Sequence, residues 1–266
     1  MRKLKETCPA LRAVCAFVLF LWSAGLAAAG TQDDGLVEKP GVTTRAKSKT
    51  AAPDDQALEL SVEQAMWTAI AFEDAAQLAS LLKRGADPNK PEKLSQMTPL
   101  MTVETAALVK VLLEGGAKPN LRDRTGRTAL HHAVRVREAP EIVRLLAQAG
   151  AEIDARVEDM SNCTPLLLAV ELFIEEPRQQ NIAQVIRALA GLGADVDAAD
   201  SEGRNALAIA AAHNQVDLIR LLLELGADPK RRLSDGRTPL DFALDAKAQD
   251  AAGVLAAAPS KQPTAN

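Results

Sequence analysis

The chain has 266 residues, 47% hydrophobic but only 3% aromatic and without a single tyrosine. That is enough apolar material for one or two packed domains, yet it is mostly Ala and Leu, strong helix formers; the β-branched and aromatic residues that favour strands are few, which argues for an all-α fold. A formal net charge of −4 shows no overall basic excess of the kind that nucleic-acid binding calls for.

Residues 1–29 have the organisation of an export signal. Arg2, Lys3, Lys5 and Arg12 precede the apolar run Ala13 to Trp22, and Ala27-Ala28-Ala29 supplies small residues for a cut after Ala29. An uncleaved anchor is the alternative, although the uncharged stretch Ala13 to Ala29 is short for a membrane span. No Cys follows a small-residue lipobox at this site, so a lipid anchor is not expected. Losing four basic residues and one acidic residue would take the net charge from −4 to −7. Cleavage would place the chain in the periplasm or outside the cell, with no remaining membrane contact. It would also remove Cys8 and Cys15, leaving Cys163 alone and an intramolecular disulfide impossible.

Residues 30–60 read as a disordered spacer. Gly30 to Ala57 holds Pro40, Pro53, several Thr and Lys and mixed charges, with neither a helical nor a strand period. Order is expected from Ser61, which has capping-box spacing to Gln64 ahead of Ala65, Ala69 and Phe72 at helical intervals.

Beyond this point one pattern recurs, clearest between Asp200 and Pro229. Ala206, Leu207, Ala210 and Ala211 mark one short helix; Leu218, Ile219, Leu221, Leu222 and Leu223 mark a second, stopped at Gly226. Neither helix is long enough to be stable alone in water, so the pair needs neighbours. The sequence supplies them. Gly-Ala pairs stand at Gly85, Gly116, Gly150, Gly193 and Gly226, spaced 31, 34, 43 and 33 residues apart. Each later first helix opens on a second marker: Thr98-Pro99-Leu100, Thr128-Ala129-Leu130, Thr164-Pro165-Leu166, Asn205-Ala206-Leu207 and Thr238-Pro239-Leu240. Thr or Asn suits the N-cap and Pro the first turn. Between the markers lie tips with β-turn chemistry, such as Asp123 to Gly126 and Asp200 to Gly203.

A period near 33 with this Thr-Pro-Leu start and a Gly-Ala-Asp finger resembles the ankyrin-repeat family, over about Val62 to Leu255. The resemblance implies an all-α solenoid of six helix-turn-helix repeats over residues 61–258, about 61–94, 95–124, 125–160, 161–199, 200–232 and 233–258, with a disordered tail at 259–266. The end repeats must carry a more polar outer face; Ser80, in place of Leu or Ile, and Asp245, Lys247, Gln249 and Asp250 agree. Repeat 2 is three residues shorter than the reference, which trims its first helix or the turn after it. Repeat 4 is eight longer, with the excess near Phe173 to Asn181, where Pro177 should end the first helix by about Glu176. Leu172 is expected in the core, while Phe173 and Ile174 could be core or an exposed contact.

No nucleophile elbow, P-loop, dinucleotide fingerprint, zinc-protease motif or paired-Cys motif occurs, and no catalytic, metal or cofactor site is expected. His131 holds the family's Thr-Pro-Leu-His position, which implies a hydrogen bond to local backbone. His132 and His213 are surface residues. Cys163 sits at a position that the resemblance places on the exposed finger side, as a small packing residue or as the thiol of a disulfide-linked dimer. Arg127, Arg204 and Arg237 each follow a tip Gly and could line up as a cationic row, with Arg124 and Arg135 nearby. The resemblance implies a non-catalytic module, monomeric unless Cys163 links two copies, that binds a folded protein of unknown identity. On that map the contacts include Arg124, Thr125, Arg127, Arg135, Ser201, Glu202, Arg204, His213, Asp235 and Arg237. A secreted effector and an enzyme with an unrecognised site are the competing readings.

Overall fold

A computed structural model describes residues 55–157, 162–175 and 181–259. The export segment, most of the spacer, the middle of the repeat-4 insertion and nearly all of the tail lie outside the described residues. The chain divides into two compact units, Met1–Gln64 and Ala65–Asn266. All that is described of the first is the opening of helix α1 (Asp55–Ala71). This helix starts at Asp55, ahead of the predicted Ser61. The stretch Asp55-Gln-Ala-Leu-Glu-Leu consists of helix-compatible residues, so the helix extends back through it. A second expectation also shifts. Phe72 is 75% exposed, whereas Met66, Ala69 and Ile70 are buried. The helix ends at Ala71 and Glu73 adopts φ 55°, which turns Phe72 out of the helical stripe.

The second unit continues with α2 (Ala75–Lys83) and then five helix pairs. These are α3 (Pro99–Thr102) with α4 (Ala106–Glu114), α5 (Ala129–Ala133) with α6 (Ala139–Gln148), α7 (Pro165–Glu175) with α8 (Ile182–Gly191), α9 (Ala206–Ala212) with α10 (Val216–Glu224), and α11 (Pro239–Asp245) with α12 (Gln249–Ala257). The first helices α3, α5, α7, α9 and α11 stack in one row. The second helices α2, α4, α6 and α8 stack in another, and α10 packs on α12. Among the described residues there is no strand, only one isolated bridge between Ala199 and Asn205.

Local chemistry explains the helix ends. Asn205 Oδ1 accepts from the Ala208 N–H at 3.0 Å, and Thr164 Oγ1 from the Leu167 N–H at 3.3 Å. At the other end, Gly226 takes φ 89°, which costs a side-chain-bearing residue far more, and the paired bonds Gly226 N–H to Leu223 O and Ala227 N–H to Leu222 O close the helix. The five Gly-Ala markers are these closures.

The core lies between the rows. In the reference repeat Ala206, Leu207, Ala210, Ala211, Leu218, Ile219 and Leu222 are fully buried. Alanines on α9 let neighbouring first helices approach, while each buried Leu or Ile contributes about 1.5–3 kcal/mol over an exposed one. The trimmed repeat 2 loses its residues from the first helix, since α3 has 4 residues and α9 has 7. In repeat 4 the helix α7 ends at Glu175, Leu172 is buried, and Phe173 and Ile174 are half-buried. Ser80, Asp245, Lys247, Gln249 and Asp250 are exposed, as repeats at the two ends of a stack require.

One polar ladder joins the repeats. Asn89 donates to Gly116 O at 3.0 Å and accepts from the Lys118 N–H at 2.7 Å. Asn120 does the same to Gly150 O and the Glu152 N–H, both at 2.9 Å. Asp154 accepts from the Asp195 N–H and Asp197 from the Asp228 N–H. These residues stand four positions after the Gly of successive Gly-Ala markers. The corresponding residue of the next marker is Lys230, at the last junction.

Candidate partner-binding face

Each finger is a short loop pinned across its base. The N–H of its first residue bonds the carbonyl just before the helix cap: Glu92 to Met97, Asp123 to Arg127, Val157 to Cys163, Asp200 to Arg204 and Leu233 to Arg237, at 2.9–3.1 Å. The residue two before the cap must be left-handed, and Gln96, Gly126, Asn162, Gly203 and Gly236 have φ between 52° and 82°. At Gly203 there is a further reason for glycine, because a Cβ would run into the Ser234 hydroxyl of the next finger. In repeats 3 and 5 the opening aspartate completes the loop. Asp123 Oδ1 accepts the N–H groups of Thr125 and Arg127, and Asp200 Oδ1 those of Glu202 and Arg204, at 2.8–3.0 Å. Asp and a left-handed residue at fixed spacing therefore make a rigid tip whose backbone is satisfied from within.

The helix beneath is tied to the finger by histidines in repeat 3. His131 is 1% exposed; its Nδ1 accepts from the Thr128 hydroxyl at 2.9 Å and N–H at 3.2 Å, while Nε2–H donates to Cys163 O of the next repeat at 3.3 Å. Burial pushes its pKa down to about 4. The expected bond to local backbone is present, with an inter-repeat one added. His132 is half-buried and its Nε2 lies 2.8 Å from Asp123 Oδ2. Burial alone would raise the Asp123 carboxyl, but the bonds from His132, Thr125 and Arg127 outweigh it and hold the group well below its ordinary value. His213 is exposed and donates through Nδ1 to Ile209 O at 2.9 Å.

Of the anticipated contact residues, Arg135 follows α5 and His213 caps the C-terminal end of α9, and the others lie in the finger loops. Arg124, Thr125, Arg135, Ser201, Glu202, His213, Asp235 and Arg237 are exposed, while Arg127 and Arg204 are half-buried. The arginines do not form a continuous cationic row. The equivalent position in repeat 4 is Cys163, which is 6% exposed with its thiol 3.4 Å from the Thr164 carbonyl. The residue expected on the exposed side is thus inside, and no accessible thiol stands there for a link between copies. Further along, Arg204 is held by Asp200 at 2.8 Å and Glu202 at 3.2 Å. Arg237 is held by Asp235 at 2.6 Å and Asp245 at 3.1 Å, and it lies 4.0 Å above the Phe242 ring. Their charges are spent locally.

Several members of this face carry no obvious motif. Arg122 donates to the carbonyls of Gly126 at 2.8 Å and Arg156 at 2.7 Å; Arg156 donates to Asn162 and Ala199, and Arg232 to Gly236. These guanidiniums clamp finger backbones. Their signal was positional, an Arg directly before the first finger residue. Glu171, on α7, is half-buried; burial pushes its carboxyl up, partly offset by Arg204 and Arg127. Among the described residues no group of three or more His, Cys, Asp or Glu is placed to hold a metal ion, and no helix is long and apolar enough to cross a membrane.

Stacked helix pairs with hydrogen-bonded fingers define a repeat solenoid that presents one side-chain-rich face. The ankyrin-repeat family description matches in three overlapping copies, residues 66–157, 104–185 and 178–266, and the chain belongs to that family. Ankyrin repeats are protein–protein interaction modules, typically without enzymatic activity. Neurogenic locus notch homolog protein 1 of Mus musculus is 39% identical over 108 residues, covering 41% of this chain but 4% of that protein. The chain thus matches only a small part of that protein's length. Among solved structures, a chain in the complex of a predatory endopeptidase from Bdellovibrio bacteriovorus with an immunity protein is 28% identical, with TM-score 0.56, covering 76% of this chain and 97% of that one. The ankyrin repeat domain of Bcl-3, of the IkappaB family, is 25% identical with TM-score 0.63, covering 74% and 86%.

Proposed function

We propose that this chain is an exported, non-catalytic binding protein of the cell envelope that recognises a folded protein partner through its finger tips and first-helix faces. The observation that carries the reading is the division of labour in the fingers. Their backbone groups are bonded from within, while Arg124, Thr125, Ser201, Glu202 and Asp235 point outward and are exposed. Such a surface loses little freedom on association, which favours binding. Arg127, Arg135, Arg204, His213 and Arg237 extend the contact face onto the first helices. The export reading rests on the basic and apolar organisation of residues 1–29. Similarity to a chain from a complex of an endopeptidase with an immunity protein makes an endopeptidase the first class of partner to test.

Two measurements test this. A photo-crosslinking residue placed at Thr125 or Ser201 in the full chain should trap one envelope protein, and the same residue at Arg144, on a second helix, should not. Trapping from Arg144 alone would place the contact on the opposite face and refute the reading. Fractionation of cells expressing the full chain should recover it from the periplasm or medium, shortened at Ala29; a full-length cytoplasmic product would remove the export component.

A further inference from the structure

Repeats 3, 5 and 6 carry an arginine at the same finger position but treat its charge differently. Arg204 and Arg237 each find two carboxylates. The finger and first helix at residues 122–137 hold five arginines and a single acidic residue, Asp123. That carboxylate is already fully engaged: Oδ1 accepts from Thr125 N–H, Thr125 Oγ1 and Arg127 N–H, and Oδ2 faces His132 Nε2. The last contact is the decisive one. In repeat 5 the same oxygen of Asp200 takes the Arg204 guanidinium at 2.9 Å, and the residue standing where His132 stands is Ile209, which cannot compete for it. His132 therefore displaces Arg127 from the partner that its counterpart enjoys. Arg122 is used up on the carbonyls of Gly126 and Arg156. Arg124, Arg127, Arg135 and Arg137 form no ion pair with any described residue, and three of the four are exposed.

Four guanidiniums clustered around one finger and first helix, with no ion pair among the described residues, are a local inversion of sign in a chain whose net charge is −4. Resting on the reading that this face binds a protein, we infer that the finger and first helix of repeat 3 dock a carboxylate-rich segment of that partner, gripped by Arg124, Arg127, Arg135 and Arg137. Guanidinium–carboxylate pairing is charge-assisted and can be bidentate, so it supplies orientation as well as attraction. The neighbouring repeats limit the segment's length. Beyond repeat 3, Arg204 and Arg237 are already paired with Asp200, Glu202, Asp235 and Asp245, so the later fingers offer a uniformly anionic chain no free guanidinium, and Glu171 and Glu175 stand on α7 in between. A short acidic segment fits this pattern, whereas a nucleic-acid backbone, charged at every step, does not.

The probe is a fluorescent oligoglutamate peptide titrated with the full chain at low and physiological salt, followed by anisotropy. The expected result is binding that weakens with salt, falls at least ~10-fold in R124E/R135E, and stays within about 3-fold of wild type in R144E/R220E on the second-helix side. A milder pair, R124Q/R137Q, gives the same ordering if charge reversal disturbs the fold, which circular dichroism checks. H132I gives a sharper readout: freeing Asp123 Oδ2 for Arg127 should weaken the peptide several-fold without touching any guanidinium. Absence of peptide binding, equal loss in both double variants, or tighter binding of a thymidine oligonucleotide of equal length overturns the inference. Crosslinking from Thr125 that persists unchanged in R124E/R135E would overturn it too, while leaving the protein-binding reading intact.

Discussion

Replacing His131 with glutamine should make the protein resist acid better, because His131 is buried as a neutral ring. At 1% exposure its Nδ1 accepts two bonds from Thr128, so a proton there would set donor against donor. Burial lowers its pKa from 6.5 to about 4. Between these values the unfolded chain binds a proton that the folded chain refuses, and stability rises with pH wherever the unfolded state binds more protons. The contribution of neutral His131 is therefore complete above pH 6.5 and is lost as pH falls towards 4, where the folded ring also takes its proton. At 1.36 kcal/mol per pKa unit the loss is about 3 kcal/mol. Glutamine, at the third helical position after the cap, can still accept from the cap backbone and does not titrate. Urea unfolding of both proteins at intervals from pH 7.5 to 4 gives two curves whose difference isolates this residue, since every other titrating group is common to both. At pH 7.5 H131Q should be the less stable, having lost packing and the bond to Cys163. That deficit should shrink by about 3 kcal/mol on acidification. Parallel curves would refute the argument.

Leu222→Asp buries an unpaired charge at a fully buried position between repeats, and should unfold α10 with its neighbours; unchanged helicity and melting temperature would mean the repeat register is wrong. Asn120→Ala removes both bonds to Gly150 and Glu152, costing about 1–2 kcal/mol, and hydrogen exchange should quicken first at the Glu152 amide. Cys163 should react with a maleimide reagent slowly in the folded chain and rapidly in urea, and purified protein kept without reductant should run as a monomer.

Most of the fold was readable because it is written in repetition. Helix pairs, their caps and their left-handed closures all recur with the Gly-Ala and Thr-Pro-Leu markers, and the trimmed α3 follows from counting residues between markers. The misses fall where repetition ends. Asp55 to Leu60 precedes the first repeat and extends a helix on propensity alone, without a marker. Phe72 fits a helical stripe only if α1 continues past Ala71, and Glu73 decides that it does not. The ladder of Asn89, Asn120, Asp154 and Asp197 was present in the sequence at constant spacing, but Asn or Asp in a turn ordinarily bonds its own loop. Only the structure shows these side chains reaching into the next repeat.

For the binding face, position was legible and charge was not. An aligned column of Arg127, Arg204 and Arg237 reads as a stripe, yet the effective charge of each is set by whether a carboxylate has an oxygen to spare. That depends on residues in another column. Asp123 and Asp200 are equivalent in sequence and in finger geometry, and differ because His132 lies across from one and Ile209 from the other. A charge count along the fingers treats the two repeats alike, whereas hydrogen bonding makes repeat 5 locally neutralised and repeat 3 available. In a solenoid whose backbone is nearly constant from repeat to repeat, partner choice can then be changed by a residue that never touches the partner, through the arginine it frees or occupies.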